Sequence, residues 1–170
     1  MLEDAVASMK EGGDEALDEG AWSPTINIGT SVLIPESYVS DLQVRLGLYR
    51  RLADFQEQQD LDGFAAELHD RFGRRPEEVD HLLEIVSIKL LCRKANVSNV
   101  DAGPKGATIG FRGGVFANPT ALVNWIAGQG TLAKLRPADM KLVLTREWTT
   151  AAARLKGTRQ LMQNLVKLAG

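Results

Sequence analysis

Cysteine is almost absent: Cys92 is the single one in 170 residues. An intramolecular disulfide is therefore impossible, and no zinc site built on paired cysteines can be written. A reducing, cytoplasmic setting is expected. Histidine is nearly as scarce, with only His69 and His81. His69 lies among charged residues and His81 near a helix start, so both read as surface groups. No apolar run approaches the roughly 20 residues of a membrane span. The opening MLEDAVASMK is acidic and mixed, unlike a secretory signal. The phosphate-loop pattern GxxxxGK[ST] does not occur. Residues 110–114 (GFRGG) are glycine-rich but close a strand, which reads as turn or bulge geometry. The acids at 11–19 lack the fixed ligand spacing of a calcium loop, and Glu77-Glu78 fit the first turn of a helix, where the dipole favours them. The expectation is a chain with no catalytic residues, no bound metal and no cofactor of its own.

Charge is abundant and unevenly placed. Residues 1–80 hold 18 Asp/Glu and 7 Lys/Arg, a net of −11, whereas residues 81–170 hold 4 and 13, a net of +9. Such a split predicts two faces of opposite sign or two halves that attract one another. The basic residues are spread out, with no dense run and few interleaved aromatics, so nucleic-acid contact by the second half is an alternative reading, not the leading one.

Along the chain, Leu2, Val6 and Met9 repeat as on the end of a helix. Residues 11–24 (EGGDEALDEGAWSP) carry five acids and three glycines and read as a linker. The division expected is a 1–24 leader segment and a domain over 25–170. INIGTSVLIP (26–35) suits an extended stretch. Ser40 and Gln43 suggest a capping box for a helix over 41–56, with Leu42, Leu46, Tyr49 and Ala53 facing inward. A second helix is expected over 60–72 on a stripe of Leu61, Phe64, Leu68 and Phe72, ending at Gly73. A third runs from Pro76 to about Asn96, with Val79, Leu82, Leu83, Val86, Leu90 and Leu91 inward. A hairpin turning at 103–106 follows. Then comes a helix opened by Asn118-Pro119, a second hairpin over 131–145 and a closing helix over 147–169. The fold class is α+β: N-terminal helices, a small antiparallel sheet of two hairpins, and a long C-terminal helix.

One charged face stands out. Glu67, Asp70 and Arg71 fall at i, i+3 and i+4 on the second helix, adjoining the apolar stripe that fixes its orientation. An i,i+4 ion pair on a solvated face is enough to account for Glu67 and Arg71. A docking surface is the competing reading.

Three segments resemble a known family. IPESYVSDLQVRLGLYRRLA (34–53) and ELHDRFGRRPEEVDHLL (67–83) are similar to two blocks of the bacterial transcription-repair coupling factors, the Mfd proteins. MLEDAV resembles the end of their helicase module. The resemblance implies an ATP-driven duplex-DNA translocase that displaces stalled RNA polymerase and recruits UvrA, with ATP and Mg belonging to a motor whose motifs this chain lacks. It further implies that this region is a non-catalytic regulatory domain. In the family, such a domain folds back on the UvrB-like N-terminal module and masks the UvrA-binding surface. Carried onto this sequence, the docking positions are Glu67, Asp70 and Arg71.

Overall fold

The computed structural model describes residues 23–30 and 32–170. The helical repeat expected at 1–10, most of the linker and Trp22 lie outside the described residues. Three helices come first: α1 (Leu42–Asp54), α2 (Gln58–Phe72) and α3 (Glu77–Lys94). Asp41, one residue past the expected Ser40, caps α1 by accepting from the Val44 N–H at 3.1 Å. Glu57 and Asp60 form the reciprocal capping box that opens α2, and Gly73 closes it at φ 90°. Pro76 caps α3, whose last turn carries Arg93 and Lys94 where the helix dipole favours cations.

The face that α1 buries differs from the one expected. Leu48 and Leu52 are buried, whereas Leu42 is 54% exposed and Ala53 faces solvent. Both leucine series have helical spacing. Tertiary contacts select the 48/52 series, which packs with Leu61, Phe64 and Leu68 of α2 and with Val79, Leu83 and Val86 of α3. On α2, Leu61, Phe64 and Leu68 are buried as the stripe predicts, and Phe72 is half-buried.

The strands form one five-stranded sheet, not two separate hairpins. Its order is β1 (Thr25–Asn27), β2 (Val97–Gly103), β3 (Gly106–Phe111), β5 (Lys141–Thr145), β4 (Ala133–Arg136). The two antiparallel hairpins are joined by β3 against β5, with Ile109 opposite Leu142. β1 adds a parallel edge, Ile26 opposite Val100. A register shift between Val97 and Asn99 sits across from Gly110, where a Cβ would overlap the Asn99 side chain. That close approach explains one of the glycines in the 110–114 segment.

α4 (Pro119–Gly128) is capped by Asn118, which accepts from the Ala121 N–H at 3.2 Å. α5 (Ala151–Ala169) starts later than the period suggested. Residues 146 and 148 are committed elsewhere: their N–H groups donate to the carbonyls of Lys105 and Pro104 at 2.9 Å. Thr150 then caps the helix, accepting from Ala153 at 3.1 Å.

Two apolar cores result. One joins α1, α2 and the first half of α3. The other gathers Val97, Val100, Ile109, Leu142 and Leu144 of the sheet with Leu161, Met162 and Leu165 of α5. α3 belongs to both: Val79, Leu83 and Val86 to the first, Ile85, Ile88 and Cys92 to the second. This double duty explains why α3 has eight buried residues and no clean polar face. The ion pair from Arg159 of α5 to Glu84 of α3, at 3.0 Å, ties the two parts together.

Candidate interaction surface

The two sequence blocks at 34–53 and 67–83 form one structural unit, held by polar contacts between them. Within the first block the Ile34 N–H donates to the Tyr49 hydroxyl at 2.7 Å. Arg45 reaches back to the carbonyls of Val39, at 2.8 Å, and Ser40, at 3.2 Å. Tyr38 then bridges to the second block. Its ring lies 5.7 Å from that of Phe72, and its hydroxyl donates toward the carbonyls of Gly73, at 2.7 Å, and Leu68, at 3.1 Å. The C-terminal end of α2 is therefore anchored on its buried side, and the opposite side faces solvent in a fixed orientation.

Glu67 is the centre of that outward side. Arg51 of α1 grips its carboxylate with two guanidinium N–H groups, each at 2.8 Å. Arg71 adds a third hydrogen bond at 2.9 Å. Bidentate arginine–carboxylate contacts of this kind fix geometry as well as charge. Together the two arginines hold the Glu67 carboxyl down at about 2, chiefly through the hydrogen bond from Arg51 and then that from Arg71. The same contact raises the Arg51 pKa. Each guanidinium also lies over an aromatic ring: Arg51 is 4.9 Å from the Phe64 centroid, and Arg71 is 4.8 Å from that of Phe72. Both cations are thus positioned from two sides. All three side chains remain partly open to solvent, at 43%, 34% and 46% for Arg51, Glu67 and Arg71.

Asp70 is exposed on the same helix and has no ion-pair or hydrogen-bond partner among the described residues. The face thus presents two oriented guanidiniums and one free carboxylate within a single turn of α2. The structure brings Glu67 and Arg71 together as the spacing suggested and leaves Asp70 apart from them. Sequence periodicity missed Arg51, which reaches Glu67 from a different helix. Its only signal was a place in the RLGLYRRLA block. Among the described residues, no cluster of His, Cys, Asp and Glu could hold a metal ion, and no helix is long and apolar enough to cross a membrane.

Residues 28–122, which include all of this face, match the TRCF domain family. The chain belongs to that family. The TRCF domain is similar to a segment of the transcription-repair-coupling factor of Rickettsia bellii (strain RML369-C), 38% identical over 170 residues. That alignment covers 99% of this chain and 15% of the relative. The factor of Escherichia coli (strain K12) is 26% identical over 97% of this chain and 14% of its own length. The chain therefore spans only about a seventh of these relatives. Its fold is shared with a crystal structure of the C-terminal domain of transcription-repair coupling factor, at a TM-score of 0.72 and 22% identity, covering 87% of this chain and 94% of that one.

Proposed function

We propose that this TRCF domain is a non-catalytic regulatory module of a transcription-coupled repair translocase. It docks through the face of Arg51, Glu67, Asp70 and Arg71 on the UvrB-like N-terminal module of the longer protein, and so masks the surface that recruits UvrA. The observation that carries this reading is the pre-organised charge set. Two guanidiniums are locked on one glutamate and two aromatic rings beside an unpaired aspartate. Side chains already held in place lose little conformational freedom on binding.

The geometry also divides the labour. Glu67 is neutralised within the domain and serves to position the two arginines. Asp70 and the remaining guanidinium N–H groups face the partner. Burying such a group against an opposite charge and then truncating it costs about 2–5 kcal/mol. That is about 30-fold or more in a closed–open balance. The domain itself binds; hydrolysis of ATP with Mg, movement on duplex DNA and contact with RNA polymerase belong to other parts of the longer protein. In the intact protein, Glu67→Ala combined with Asp70→Ala is expected to raise UvrA affinity. A correctly folded double variant with unchanged UvrA affinity would count against the docking role.

A further inference from the structure

A second surface lies in the sheet half of the domain. Between the end of β3, α4 and the β4–β5 turn runs an apolar groove of about 250 Å³, lined by Phe111, Val115, Phe116, Val123, Leu135 and Met140. Its floor is firm: the rings of Phe111 and Phe116 meet at 5.4 Å in a tilted pair, and both are buried. Its rim is not covered. Val115 is 58% exposed, Val123 55% and Met140 46%. Scattered apolar residues on a surface need no explanation, but three in one groove do.

Met140 adds an independent mark. It sits in the left-handed region at φ 57° and closes the β4–β5 turn by donating its N–H to the Arg136 carbonyl at 2.7 Å. Glycine or asparagine is the ordinary residue for that backbone. Here a long thioether occupies it instead and is projected into solvent at the groove. A residue that breaks a local rule without a packing gain marks function more often than stability. Methionine is also the apolar side chain that adapts best to a partner surface.

The surrounding charge has one sign. Residues 102–138 contain no carboxylate at all. Arg112, Lys134, Arg136 and Lys141 flank the groove in sequence, and the one nearby acid, Asp139, is bound by Arg136 at 2.7 and 3.0 Å. We infer that this groove is a docking site for an acidic segment of a partner protein that inserts one bulky apolar side chain beside Met140. The aliphatic lining selects an apolar anchor, and the positive rim selects acidic neighbours and speeds their encounter. The groove belongs to the sheet core and the charged face of α2 to the helical core. The two surfaces therefore stand or fall separately.

The test is a titration of the isotope-labelled chain with a short synthetic peptide of Asp and Glu residues around a single Phe. Saturable shifts are expected at the amides of Val115, Val123, Leu135 and Met140, and they should weaken as salt is raised. Replacing the peptide Phe by Ala should weaken binding by about tenfold, as should Val123→Lys on the exposed side of α4, in the range expected for one anchor contact. Met140→Gly should also weaken binding while the melting temperature holds or rises, because glycine relieves the left-handed residue. The inference is overturned if no saturable shifts appear or if they fall elsewhere. It is overturned equally if a peptide with Lys in place of the acids binds as well, or if a short DNA duplex produces the groove shifts and the peptide does not.

Discussion

Replacing Gly157 by alanine isolates the packing that fixes α5 on the sheet. Glycine inside a helix ordinarily loses about 1 kcal/mol relative to alanine, so the substitution should stabilise on propensity alone. At this position a Cβ would overlap the Trp148 indole, standing 2.6 Å from Nε1. The ring cannot easily give way. Trp148 is 8% exposed, its N–H donates to Pro104 at 2.9 Å, and its carbonyl accepts from Arg154 at 3.0 Å. Overpacking of a fixed core side chain costs about 1–3 kcal/mol, which outweighs the helical gain. Gly63 in the middle of α2 is the matched control, because a Cβ there meets nothing within 4 Å. Gly63→Ala should therefore stabilise by up to about 1 kcal/mol, and Gly157→Ala should destabilise by about 1–2 kcal/mol. At about 2–4 °C per kcal/mol for a chain of this size, thermal melting followed by circular dichroism resolves both signs. A Gly157→Ala protein that melts at or above the parent would refute the account of the Trp148 contact.

Glu67→Gln should lower stability at neutral pH by less than about 1 kcal/mol, since the cluster is partly solvated and screened. The folded-state carboxyl titrates at about 2 against an ordinary 4.5, so its contribution is complete above about 4.5 and is lost as the pH falls toward 2. Urea unfolding of parent and variant should show a gap at pH 7 that closes in acid; a gap independent of pH would contradict the assignment. Cys92 is fully buried, its Sγ 3.5 Å from the Met162 sulfur, and burial pushes its thiol up to about 12. Labelling by a thiol-specific disulfide reagent should therefore wait on unfolding and accelerate with urea, whereas rapid labelling in native buffer would contradict the packing of the sheet core.

What could be read from the sequence was mostly local. The Asn118-Pro119 start, the Gly73 stop and the hairpin turn at 103–106 each depend on residues adjacent in the chain, and each is found in place. Pairings between distant segments left no such mark. The parallel contact of Ile26 with Val100 and the junction of Ile109 with Leu142 turn two hairpins and an extended stretch into one sheet, yet no local signal specifies either. α1 shows the same limit in its burial, because two leucine series fit one helical period and only the packing against α2 and α3 decides between them. At the candidate surface, the i,i+4 spacing of Glu67 and Arg71 was visible. The stronger, bidentate partner Arg51 was not, because it arrives from another helix. The groove around Met140 was equally hidden, since its lining comes from β3, α4 and a turn that the chain brings together only on folding.

The central claim is that the outward face of α2 docks on the UvrB-like N-terminal module. Its most direct test is the affinity of this chain for that isolated module, measured for the parent and for Asp70→Arg, an exposed substitution that leaves the Arg51–Glu67–Arg71 cluster intact. The account predicts saturable binding by the parent and a loss of about 30-fold or more for the variant. Equal affinities, or no binding by the parent, would contradict it.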